Sequence, residues 1–139
     1  MSFDDKPGDR EVQMIDMGRG ALRMVLLVDD EPSILRAFGR VLRNAGLEVV
    51  ATGSAEAALT LLESAEFDAL VTDHDMPGRN GVWLLGEARE RRPRVRRVLM
   101  SGRVVEKIES YLESGLAQAF VEKPSDASTL IAALEGKSK

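Results

Sequence analysis

Asp29, Asp30 and Asp73 carry the clearest chemical potential in this sequence, and Ser101 and Lys123 stand in similar settings further along. Each sits at or just beyond the end of a short apolar run: MVLLV before Asp29, ALVT before Asp73, VLM before Ser101 and AFV one residue short of Lys123. If those runs end at one edge of a sheet, three carboxylates crowd together. Two unit charges about 4 Å apart repel by about 4 kcal/mol at an effective dielectric of 20. The cluster therefore needs a cation, or one member must take a proton. Lys123 offsets about one charge and not three. Carboxylate oxygens with no His or Cys among them suit Mg²⁺ or Mn²⁺, and Mg²⁺ readily takes a phosphate oxygen as a further ligand. A carboxylate can also act as a nucleophile and form an aspartyl-phosphate. Phosphoryl transfer asks mainly for positioning and charge neutralisation. A metal ion would hold one phosphoryl oxygen, Lys123 a second and the Ser101 hydroxyl a third, with Gly102 leaving room beside that hydroxyl. Asp73 is the candidate nucleophile, because its strand is expected in the middle of the sheet.

Composition narrows the alternatives. The chain has 139 residues, 44% hydrophobic and 30% charged, which fits one globular domain. There is no cysteine and one histidine, so thiolate zinc sites, cysteine nucleophiles and His-rich metal sites are excluded. The formal net charge of −4 argues against direct nucleic-acid binding. No apolar run approaches the roughly 20 residues of a membrane span, and no secretion signal is visible. A cytoplasmic location is the expectation. Residues 1–21 read as a flexible extension, 22–136 as the domain and 137–139 as a tail.

The elements that must position these groups alternate. Met24–Val28 is an apolar run of the kind covered on both faces of a parallel sheet. Pro32 suits a first helical position, and Ile34, Leu35, Phe38, Val41 and Leu42 recur on one helical face before Gly46. Glu48–Ala51 predicts a second strand. Ser54 predicts an N-cap, with Ala55, Ala58, Leu59 and Leu62 behind it. Ala69–Thr72 is a third strand, Asp73–Gly81 a loop and Val82–Arg91 a helix. Val98–Met100 and Ala119–Val121 predict strands four and five. Val105, Ile108 and Leu112 mark a fourth helix between them, and Leu130, Ile131 and Leu134 a last one. The implied fold is α/β: one doubly wound (βα)5, flavodoxin-like domain with a five-stranded parallel sheet. In such sheets ligands bind outside the carboxyl ends of the strands, where the acids lie.

The segments LLVDDEP (26–32), VTDHDMPGRNG (71–81), VLMSG (98–102) and FVEKP (120–124), in this order, resemble the receiver domain of two-component response regulators, including chemotaxis regulators. The resemblance covers about residues 24–135 and implies strand order 2-1-3-4-5. It implies that Asp73 is the phosphoacceptor and that a histidine kinase or phosphotransfer protein is the donor. It further implies Asp30 as the direct Mg²⁺ ligand, Asp29 acting mainly through metal-bound water, and the Asp75 backbone carbonyl as a further ligand. Ser101 would close on the phosphoryl group and Lys123 would pair with it. Phe120 takes an aromatic switch position without a hydroxyl. Asp75 and Arg103 take positions that modulate phosphoryl lifetime, and an Asp75–Arg103 pair would partly cover the site. A cis Lys123–Pro124 bond is typical of the family. A downstream effector protein would read the face of the fourth helix, fifth strand and fifth helix. A monomer or a phosphorylation-dependent dimer is expected.

Other readings stay in view. Asp73-His74-Asp75 also resembles the nucleophile motif of haloacid-dehalogenase-like, Mg-dependent phosphatases, although that class wants its acidic pair late in the chain. A receiver-fold binding module that works unphosphorylated is a third reading. His74 reads as a partly exposed neighbour of the site, and Trp83 and Phe67 as packing. The six arginines of RERRPRVRR (89–97) read as a solvated helix end.

Overall fold

The structure, a computed structural model, describes residues 22–123 and 126–136. The expected extension 1–21, the tail 137–139 and the Lys123–Pro124 bond lie outside the described residues. Strands and helices alternate: β1 (Met24–Val28), α1 (Pro32–Asn44), β2 (Glu48–Thr52), α2 (Ala55–Ser64), β3 (Ala69–Asp73), α3 (Gly81–Arg91), β4 (Arg96–Ser101), α4 (Ile108–Glu113), β5 (Ala119–Glu122) and α5 (Ala127–Glu135). All strands pair in parallel in the order β2-β1-β3-β4-β5.

Strand side chains alternate between two cores. Leu26, Val28, Leu70 and Leu99 pack with Ala58, Leu62, Leu84 and Leu85 of α2 and α3. Val25, Leu27, Val71, Val98 and Met100 pack on the other face with Phe38 and Leu42 of α1 and Leu130 and Leu134 of α5. Burial on both faces explains why β1 and β3 read as unbroken apolar runs. The predicted caps are in place. Ser54 accepts from the Ala57 N–H at 3.1 Å, and Pro32 opens α1. Gly46 follows α1 at φ 95°, where a left-handed residue lets Leu47 N–H reach back to the Leu42 carbonyl at 3.1 Å.

Two expectations fail. The fourth helix is shorter than its apolar spacing predicted: Val105 is buried but lies before α4, and Leu112 is 39% exposed. A spacing of three to four residues marks a face, but it does not say whether the turn before it is helical. The arginine run is not simply a solvated helix end. Arg97 is buried, and its guanidinium donates to the Leu116 carbonyl at 3.0 Å and the Gly115 carbonyl at 2.8 Å, just past α4. Arg89 donates to Ser114, Arg92 to Leu62 and Glu63, and Arg96 to Ala133. The C-terminal ends of α2, α4 and α5 thus place unsatisfied carbonyls and partial negative charge near this edge of the sheet, and the arginines satisfy them. Burial holds the Arg97 guanidinium below the usual arginine range, with Arg89 and Arg96 adding repulsion.

Candidate functional site

Register brings the predicted residues to one edge. Val28 is level with Thr72, so Asp29 and Asp73 are the next residues of neighbouring strands. Asp73 pairs with Met100, and Ser101 comes one step later; Ser101 pairs with Glu122, and Lys123 follows. Neighbouring strands lie about 4.8 Å apart, so the fold itself forces the acids together. One oxygen from each of Asp29, Asp30 and Asp73 lies within 4.8 Å of the others.

The two members of the acidic pair are not equivalent. Asp29 is fully buried, and Asp30 is exposed at the lip. Asp29 accepts from the Glu31 N–H at 2.9 Å through one oxygen and from Lys123 Nζ at 2.8 Å through the other. Lys123 Nζ also lies 3.1 Å from Asp73, so one ammonium bridges both buried carboxylates. Burial pushes the Asp73 carboxyl above its ordinary value, and the Asp29 charge adds to the rise; Lys123 and the Asp75 N–H oppose it without cancelling it. Burial pulls Lys123 down, but its hydrogen bonds to Asp29 and Asp73, and their charges, outweigh that and hold it above the usual lysine range. A single lysine therefore leaves the three-carboxylate cluster with excess negative charge. An oxygen-only donor set with unmet negative charge fits a hard divalent cation such as Mg²⁺.

Ser101 is buried, and its Oγ accepts from the Arg103 N–H at 3.2 Å. The Ser101 carbonyl accepts from the Lys123 N–H at 2.8 Å, which ties the two strand ends together. Gly102 gives less room than expected to matter: an added methyl would meet Lys123 Cε at 3.8 Å, an ordinary contact. The Asp75–Arg103 pair is present and bidentate, at 2.9 Å through Nε and 2.8 Å through Nη2. It joins the loops after β3 and β4 beside Asp73. The Arg103 hydrogen bonds hold the Asp75 carboxyl below its ordinary value; burial opposes them, and His74 Nδ1 at 2.9 Å adds to the lowering. His74 is half-buried and spent on this contact. Phe120 is half-buried against the α2–α3 core.

Sequence reading missed Gly81. A Cβ there would overlap the Asp73 carbonyl oxygen, and Gly81 N–H donates to the His74 carbonyl at 3.2 Å. Only glycine lets the start of α3 close against the end of β3. Asn80 then caps α3 by accepting from the Trp83 N–H at 3.0 Å. The signal was available, since a glycine at a loop–helix boundary invites the question of what approaches it.

The pattern of the response regulator receiver domain matches residues 25–135. The chain belongs to the response regulator receiver domain family. This membership places it with two-component receivers rather than with the dehalogenase-like phosphatases. Response regulator protein FleR of Pseudomonas aeruginosa is 38% identical over 109 residues, 77% of this chain and 23% of that protein. Sensor protein TorS of Escherichia coli is 29% identical over 101 residues, 72% of this chain and 11% of that protein. The receiver thus spans a quarter or less of these relatives. Among solved structures, a CheY-like receiver from Methanospirillum hungatei has a TM-score of 0.76 at 25% identity, covering 82% of this chain and 91% of that one. Response regulator TrrA from Thermotoga maritima, solved in complex with Mg²⁺ and BeF, has a TM-score of 0.70 at 29% identity, covering 78% and 92%. Among the described residues, no helix of this receiver is long and apolar enough to cross a membrane.

Proposed function

We propose that this receiver takes a phosphoryl group from a phosphohistidine of a kinase or phosphotransfer protein onto Asp73 and works as a switch. The observation that carries the reading is the Lys123 ammonium held between buried Asp29 and Asp73, with the exposed Asp30 carboxylate at the same lip. Asp29, already engaged by Glu31 N–H and Lys123, suits an indirect contact to Mg²⁺, whereas Asp30, an Asp73 oxygen and the Asp75 carbonyl suit direct ones. A bound Mg²⁺ or Mn²⁺ would supply positive charge against the negative charge on the phosphoryl oxygens.

An Asp73 oxygen attacks phosphorus. The phosphorus–nitrogen bond of the donor breaks as the phosphorus–oxygen bond forms, and the departing imidazole takes a proton from solvent. Lys123 is already within hydrogen-bond distance of Asp73 and turns its ammonium to a phosphoryl oxygen. The Ser101 hydroxyl, whose Oγ now only accepts from the Arg103 N–H, donates to another. That movement draws the loop after β4 inward and gives half-buried Phe120 room to turn, changing the α4–β5–α5 face that an effector reads. The receiver acts on no outside substrate beyond its phosphodonor, and it catalyses its own phosphorylation and dephosphorylation. The Asp75–Arg103 pair beside Asp73 restricts the approach of the hydrolytic water.

Incubation with acetyl phosphate and Mg²⁺, followed by intact mass, tests the reading. One added phosphate, lost with EDTA and in Asp73→Asn, is expected. Phosphate on Ser101 or His74 refutes the site, and sustained turnover of a generic phosphate ester points to the phosphatase alternative.

A further inference from the structure

The edge of the sheet opposite Asp73 carries a cavity that the proposed function leaves unused. It encloses about 320 Å³ between the loop after α2 and the loop after α3, where the chain enters β3 and β4. Phe67 and Val95, both buried, and Pro93 supply its apolar surface, and Arg91, Arg92, Arg94 and Glu66 stand around it. The surrounding charges do not cancel. Arg91 is offset by Glu63 at 3.4 Å and Glu87 at 2.7 Å. Arg92 donates to the carbonyls of Leu62 at 2.8 Å and Glu63 at 3.1 Å, which fixes its place without neutralising it. Arg94 is exposed and has no hydrogen bond or ion pair among the described residues. Glu66, also exposed, offsets one of these two cations and leaves one positive charge beside an apolar surface. The wall is fixed from behind. Buried Arg97 donates through Nη1 to the carbonyls of Val95 at 3.2 Å and Pro93 at 3.4 Å while its other nitrogens hold Leu116 and Gly115. A ligand therefore meets a cavity already shaped.

We propose that this cavity binds a small organic monoanion, a carboxylate carried on a flat apolar body such as an aromatic ring. The body lies against Phe67, Pro93 and Val95, and the carboxylate faces Arg94 and Arg92. A guanidinium suits both parts, because it pairs with a carboxylate and stacks on an aromatic face. A phosphate dianion fits less well, since Glu66 repels its second charge. A long acyl chain also fits less well, because the volume lies at the small end of the range for ligand pockets.

The test uses the full chain, indole-3-acetate as the probe and amide NMR as the readout. Saturable shifts are expected at residues 66–68, 91, 92, 94 and 95, with a Kd of about 1 mM for a ligand of this size. Indole-3-acetamide, which has the same body without the charge, and acetate, which has the charge without the body, are expected to bind more weakly. Arg94→Glu is expected to bind about tenfold more weakly, because attraction becomes repulsion. Arg94 holds no other group in place, so this variant keeps the wild-type amide pattern elsewhere. Arg36→Glu, an exposed arginine on α1, is expected to bind like the wild type. Equal binding of the amide or of acetate, unchanged affinity in Arg94→Glu, or an equal loss in Arg36→Glu overturns the proposal. So do shifts that never saturate or that centre on another part of the molecule. Self-association in sedimentation that Arg94→Glu abolishes also overturns it, because the cavity is then an interface between copies. None of these outcomes bears on Asp73, whose labelling by acetyl phosphate is measured separately.

Discussion

Replacing Lys123 by Met isolates the electrostatics on which the site is built. The side chain keeps its length, but the ammonium bridging Asp29 at 2.8 Å and Asp73 at 3.1 Å is gone. The two carboxylates offer oxygens within 4.8 Å of each other. At an effective dielectric of 20 that separation gives a repulsion of at least about 3.5 kcal/mol when both are ionised. The variant can instead protonate one of them. From the ordinary aspartate value of 3.8, protonation costs about 4.4 kcal/mol at pH 7 and about 1.6 kcal/mol at pH 5. Repulsion is thus the cheaper state at pH 7 and protonation at pH 5, so the strain falls from about 3.5 to about 1.6 kcal/mol on acidification. The sign follows from linkage. The pair's folded pKa is raised, so its stability is retained at low pH and lost as pH rises through that value. At about 4 °C per kcal/mol, the pH-dependent part of the melting deficit is about 8 °C. Thermal denaturation of wild type and variant at pH 5 and 7, in EDTA and in 10 mM Mg²⁺, measures it. A divalent cation binding the folded state narrows the deficit at pH 7. A deficit that is equal at both pH values, or indifferent to Mg²⁺, refutes the crowded-carboxylate reasoning.

Other substitutions probe the scaffold. Gly81→Ala puts a methyl into the Asp73 carbonyl oxygen, and overpacking against backbone is expected to lower stability by about 1–3 kcal/mol and slow acetyl phosphate labelling. Arg97→Met leaves the Gly115 and Leu116 carbonyls without their donor; a loss of about 3 kcal/mol in urea denaturation is expected. Arg103→Ala removes an exposed, solvent-screened pair, so the melting temperature is expected to stay close to that of the wild type, while the phosphorylated form loses its label faster in a mass-spectrometric time course. An unchanged lifetime shows that the Asp75–Arg103 pair does not restrict water.

The edge of the sheet was legible because short apolar runs bounded by turn residues fit the strands of a parallel sheet, and Asp29, Asp73, Ser101 and Lys123 lie at the ends of such runs or one residue beyond. Parallel pairing then brings them together whatever the loops do. The division of labour between Asp29 and Asp30 was not legible from their chemistry, since the residues are identical in type and adjacent. The turn of the chain after β1 decides which is buried, and Lys123 comes from 94 residues away. The role of the arginine run was hidden for a related reason. Its carbonyl partners belong to helices distant in sequence, so local charge reads as solvated surface. Gly81 was passed over as one loop glycine among several, because the strand it touches is supplied by the fold.

The most direct test of the central claim is a titration of Mg²⁺ and beryllium fluoride, a phosphoryl mimic, followed by amide NMR. The expected result is a set of shifts that requires both components and centres on residues 29–31, 73–75, 101–103 and 123, with smaller changes along α4 and β5. Amides that stay in place when both are present, or that move equally in Asp73→Asn, contradict it.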